Sequence, residues 1–211
     1  MFSEFAEVSS ATWGVIVALL LVGIVVFAVS KNKKRWTARM LANGALCIAL
    51  STVLSFITLY KMPQGGSITL ASMLPMFLFA YAYGVGPGML VGAAYGFVQF
   101  LQGGLYFVHP VELLLDYPLA FAMLGLAGLS NKFSDQWGMI PGIILGTFGR
   151  FVCAFLSGLI FFGMYAPEGQ NVVIYSMVYN GLYLVPEAII CIVLAMIPQI
   201  RQLAKRLALQ D

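Results

Sequence analysis

Glu112 and Asp116 stand four residues apart in Tyr106-Phe-Val-His-Pro-Val-Glu-Leu-Leu-Leu-Asp116-Tyr117-Pro118, which also holds the only histidine of the chain, His109. At that spacing two side chains share one face of a helix. Paired carboxylates suit either acid–base catalysis or the holding of a cation. The surroundings favour the cation. The 211-residue chain is 61% hydrophobic and 9% charged, and an ionisable group at membrane depth costs roughly 2.5–3.5 kcal/mol, so it persists where it serves a function. A carboxylate in a partly dry, aromatic pocket attracts positive charge. The faces of Phe162, Tyr165 or Tyr175 add cation–π attraction of about 0.5–2 kcal/mol each, and Asn180 offers a donor and an acceptor to a heteroaromatic edge. Pro118 removes a backbone donor and kinks its helix, turning Asp116 and Tyr117. His109, just before Pro110, reads as a helix-start residue. An acid–base role for Glu112, His109 and Asp116 on a lipid head group is the enzymatic alternative, but nothing else in the chain resembles an activated nucleophile.

These side chains have to be positioned by membrane helices. The mean hydropathy is +0.94, and a helix of about 20 apolar residues crosses the hydrocarbon. Apolar stretches near 12–30, 38–60, 68–84, 88–102, 111–129, 139–164 and 172–198 predict an all-α integral membrane protein of seven spans. The reversal between the third and fourth is assigned to the turn Gly84-Val-Gly-Pro-Gly88. Residues 1–36 read as an appended helix with a basic stop, 37–200 as a six-helix bundle, and 201–211 as a basic cytoplasmic tail.

Charge placement agrees. Lys31, Lys33, Lys34, Arg35 and Arg39, then Lys132, then Arg201, Lys205 and Arg206 fall on one side of a seven-span chain, the cytoplasmic side by the positive-inside rule. The N-terminus is then outside and the C-terminus cytoplasmic, in the cell membrane. Glu4 and Glu7 precede the first apolar stretch, where a cleaved signal would carry positive charge. The basic clusters are topology signals, so no nucleic-acid partner is expected. Cys47, Cys153 and Cys191 stand singly within apolar spans and support neither disulfides nor a metal site. No cofactor is expected.

Gly88, Gly92 and Gly96, and Gly138, Gly142 and Gly146, recur every fourth residue and predict close helix packing. Ala38, Ala42, Ala45 and Ala49 form similar steps, read first as an internal seam and second as a docking face. Depth sorts the polar groups. Asp116 and Asn180 come out roughly 8 and 12 Å from the outer face, near Tyr117, Phe162, Tyr165 and Tyr175, which predicts an outward pocket. Arg150 and Glu187, both roughly 16 Å from the inner face, are expected to pair with each other.

Leu113-Leu-Leu-Asp-Tyr-Pro-Leu-Ala-Phe-Ala-Met-Leu-Gly-Leu-Ala-Gly-Leu129, Gly158-Leu-Ile-Phe-Phe-Gly-Met-Tyr-Ala-Pro-Glu-Gly169 and Tyr175-Ser-Met-Val-Tyr-Asn-Gly181 together resemble three ordered segments of thiamin-specific S components of energy-coupling factor (ECF) transporters. The resemblance spans residues 38–198. It implies a six-helix thiamin-binding membrane subunit that partners a transmembrane coupling (T) subunit and two cytoplasmic ATPases. It also implies that the ligand contacts are Asp116, Tyr117, Phe162, Tyr175, Asn180 and the loop residue Tyr106, and that Ala45 and Ala49 dock the coupling subunit. The sequence departs from the family where an Asp replaces the more common Glu at 116 and a Phe stands at 162, a position where Trp also occurs. Gly66 and Leu70 replace a tryptophan and a glutamate, so that part of the pocket is not transferred. Residues 1–36 add a helix to the usual six.

Overall fold

Thr37 opens the first described helix: its hydroxyl accepts from the Met40 amide and satisfies one of the free N–H groups of the first turn. The computed structural model of the protein describes residues 36–103, 109–132 and 138–209; the appended helix near 12–30 and Tyr106 lie outside them. Helix α1 runs Ala38–Phe56 and buries only Met40, Gly44, Cys47 and Ser51, one stripe at a spacing of three to four residues. Ala38, Ala42, Ala45 and Ala49 are all exposed, which corrects the internal-seam reading. Gly44 makes the close approach instead, because a Cβ there would lie 3.2 Å from Val91 Cγ2.

The expected helix to residue 60 ends at Phe56, and a hairpin follows. Strand β1, Thr58–Lys61, pairs antiparallel with β2, Ser67–Thr69, with Tyr60 opposite Ile68 and Lys61 opposite Ser67. Pro63 cannot continue a helix, and Gly65 and Gly66 take φ of 93° and 73°, which only glycine adopts readily. The all-α expectation is thus corrected by one small two-stranded sheet.

Helix α2, Leu74–Tyr83, has eight of its ten residues buried. At 1.5 Å per residue it spans only about 15 Å, half the hydrocarbon thickness. Gly84 alone reverses the chain, at φ 92° and ψ 177°. Val85, Gly86, Pro87 and Gly88, expected as turn, form the first turn of α3, Val85–Gln102; a proline is tolerated there because no intrahelical acceptor is needed. Helix α4 covers Pro110–Ser130, and its core segment Leu115–Leu119 is widened to a π-helix around Pro118. Beyond Ala122 it tightens to 3₁₀ over Met123–Lys132. Helices α5, Ile140–Phe161, and α6, Val172–Ala195, complete the apolar set. Among the described residues α1, α4, α5 and α6 are long and apolar enough to cross a membrane. Val53, Phe148 and Val193, each about 60% exposed, point outward and suit a lipid surround. The basic tail is a helix of its own, α7, Pro198–Leu209. Ala204 is buried in the main core, with Ile200 and Leu207 packed against it.

The glycine steps are packing seams. A Cβ on Gly92 would run into the Phe121 carbonyl, one on Gly96 would stand 3.0 Å from Pro118 Cα, and one on Gly146 2.8 Å from Phe77. Helices α3 and α5 therefore press on α4 from two sides, and α2 lies between them and α1 with Phe77, Phe79 and Tyr83 at the centre of the core.

Candidate ligand site

The π-helical turn of α4 presents Asp116 and Tyr117 to a cavity of about 740 Å³, half open, between the hairpin and helices α3 to α6. Pro118 cannot donate within the turn and the ring widens around it, a common arrangement at functional sites. Asp116 is half-buried and accepts a hydrogen bond from Ser157 Oγ of α5 at 2.8 Å. The Tyr117 ring meets Phe100 edge-on, centroids 5.3 Å apart. His109 and Glu112 are buried and close a capping box: His109 Nδ1 accepts from the Val111 amide, and the Glu112 carboxylate accepts from the His109 amide. His109 is the helix-start residue its neighbours predict.

Phe162 ends α5 and its ring stacks on Tyr165 at 6.1 Å. On the facing helix Tyr175 and Tyr179 are 5.8 Å apart. All four line the cavity, with Asp116, Tyr117 and Asn180. The depth argument thus brings its outer layer to one place. Asn180 is more deeply engaged than expected. Its Nδ2 donates to the carbonyls of Ala154 and Ser176 at 3.2 and 2.9 Å, and its Oδ1 accepts from the Tyr183 hydroxyl at 3.0 Å. It fastens α6 to α5 at the cavity wall, with both ends of the amide taken.

Arg150 and Glu187 are corrected. Among the described residues no ion pair joins them, and both line the same cavity. The Glu187 carboxylate, 2% exposed, accepts from the amides and hydroxyls of Thr69 and Ser72 at the foot of the hairpin. The Arg150 guanidinium lies 4.1 Å from the Phe121 ring centroid. Ser157 and Tyr179, which sequence reasoning missed, and Gly66, whose part it left open, also shape the site. Ser157 carries no sequence signal beyond its depth on α5. Tyr179 donates to the Gly65 carbonyl at 2.7 Å and accepts from the Gln64 amide at 3.0 Å, latching the hairpin tip to α6. Gly66 lies against Tyr183, where a Cβ would be 2.9 Å from the ring. No group of His, Cys, Asp and Glu among the described residues is arranged to hold a metal.

Of the site's three carboxylates, Glu187 is consumed by the hairpin and Glu112 caps α4. Asp116 lines the cavity and accepts from the neutral hydroxyl of Ser157. Such a pocket, with aromatic faces around it, can receive an organic cation.

Comparison with known proteins agrees with this chemistry. Residues 41–207 match the family model described as thiamine transporter protein (Thia_YuaJ). The chain is 36% identical over 173 residues to the thiamine transporter ThiT of Bacillus subtilis strain 168, covering 76% of this chain and 89% of that protein. It is 32% identical over 123 residues to the thiamine transporter ThiT of Lacticaseibacillus paracasei, covering 52% and 61%. A solved structure described as ThiT from Listeria monocytogenes superposes with a TM-score of 0.66 at 26% identity, over 79% of this chain and 93% of that one. With several apolar helices of membrane length and a family match over residues 41–207, the chain is a membrane protein that belongs to the thiamine transporter protein family.

Proposed function

We propose that this chain is the high-affinity thiamin-binding subunit of an ECF-type vitamin importer, capturing thiamin at the extracellular face. Thiamin joins a permanently charged thiazolium to an aminopyrimidine. The observation that carries the reading is Asp116, a carboxylate that lines an aromatic-walled cavity and accepts from the neutral hydroxyl of Ser157. Asp116 is assigned the thiazolium charge. Tyr117, Phe162 and Tyr175 are assigned the faces against the rings, Asn180 the wall behind them, and Tyr106 the rim. The chain binds without a covalent step. Energy for release comes from a transmembrane coupling subunit and two cytoplasmic ATPases, and the exposed Ala45 and Ala49 of α1 are the docking positions for the former.

The test is a titration of the purified full chain with thiamin, followed by quenching of its aromatic fluorescence. Saturable binding tighter than micromolar is expected, weakened at least about tenfold in Asp116→Asn through loss of the charge-assisted contact. Absence of submicromolar binding, or unchanged affinity in Asp116→Asn, refutes the assignment.

A further inference from the structure

We infer that Ser157 is a positioning residue for the cation-binding carboxylate, setting the aim of Asp116 without cancelling its charge. The inference rests on the reading of Asp116 proposed above. Ser157 is 0% exposed on the inner face of α5. A serine or threonine inside a helix commonly turns its hydroxyl back to the carbonyl four residues earlier, as Thr52 does to Ile48 at 2.7 Å. Ser157 points across to the neighbouring helix instead and gives its one proton to Asp116 Oδ2 at 2.8 Å. The next residue, Gly158, lets α6 close over the contact, since a Cβ there would stand 3.2 Å from Asn180 Nδ2. Water is thereby kept from the hydroxyl, and in such surroundings a hydrogen bond to a carboxylate strengthens.

The choice of donor bears on function. An arginine or lysine against Asp116 would orient it equally well but would neutralise the charge a cationic ligand needs. The arginine that also lines the cavity, Arg150, is placed over the Phe121 ring. A serine hydroxyl is neutral. It fixes one carboxylate oxygen, directs the other, and so removes part of the ordering cost that binding would otherwise carry. The aspartate is one methylene shorter than a glutamate and has less reach to correct a poor aim, which makes a fixed aim more valuable here.

The experiment is a double-mutant cycle on the full-length detergent-solubilised protein, with thiamin and its uncharged 3-deaza analogue as probes. Ser157→Ala is expected to weaken thiamin about tenfold, the worth of a hydrogen bond to a charged group, and the uncharged analogue by less than about twofold. In the Asp116→Asn background the same substitution is expected to change thiamin affinity by less than about twofold, because no charged group remains for Ser157 to aim. Ser157→Cys, which keeps the volume but is a weak donor, should follow Ser157→Ala and carries the test if the alanine variant does not fold. Equal losses for both probes, or the same loss with Asp116→Asn present, would show a packing role and overturn the inference. So would unchanged thiamin affinity in Ser157→Ala. If Asp116→Asn alone binds thiamin normally, the assignment of Asp116 fails and this inference fails with it. If Asp116→Asn is weak and Ser157→Ala is not, only the role of Ser157 falls.

Discussion

Counting residues from the helix ends puts Glu187 and Arg150 at matching depths, and both line the cavity, yet they do not pair. Depth along a helix sets height in the membrane but leaves the direction around the axis free. Pairing needs both. Glu187 turns towards Thr69 and Ser72, residues of a hairpin foot that no spacing rule connects to α6. The consequence is testable. Joint exchange of the two, Arg150→Glu with Glu187→Arg, is expected to fold no better than either single change, measured as the yield of monodisperse protein. Glu187→Ala leaves amides and hydroxyls of Thr69 and Ser72 without their acceptor. It should cost about 2–4 kcal/mol, read as a lower melting temperature. Asp116, by contrast, was singled out from residue type, and the fold places it on the cavity wall beside Ser157.

The elements divide in the same way. The glycine ladder of α3 announces close packing through its four-residue period, while the identity of the partner comes from the fold: Gly92 faces the backbone of Phe121 in α4. Backbone atoms cannot swing aside. Gly92→Ala should therefore destabilise the protein by about 1–3 kcal/mol. Gly181 in α6 has nothing within 4 Å of where a Cβ would stand, so Gly181→Ala should be neutral or stabilising by up to about 1 kcal/mol. Thermal melts of the two variants side by side check the contrast. Pro118 likewise predicts a disturbed helix, but only the folded bundle determines that the disturbance is a π-helical widening that holds Asp116 beside Ser157. The hairpin was missed because Ile57, Leu59 and Tyr60 after Phe56 extend a hydrophobic run, and hydropathy by itself does not separate strand from helix.

For the whole molecule, the family match begins at residue 41 and the cavity draws its lining from Ser55 to Glu187. Residues 1–35 lie outside the described residues. A chain started at Lys31 retains the basic cluster that orients the bundle, and it should bind thiamin within about threefold of the full chain. A loss above tenfold, measured by the same fluorescence titration, would assign the leading segment to the site.

Composition and spacing determined that this is a lipid-embedded helical protein with ionisable groups in its spans and tightly packed glycine seams. Those properties follow from the cost of charge in hydrocarbon and from helical periodicity, both local to the chain. The closure of the site was decided by tertiary structure. The hairpin latched by Tyr179 and Glu187, the amide of Asn180 spent between helices, and Ser157 aimed at Asp116 all join residues 26 to 118 positions apart. Such contacts depend on how each helix is rotated about its own axis, and that rotation is set by the sum of the packing.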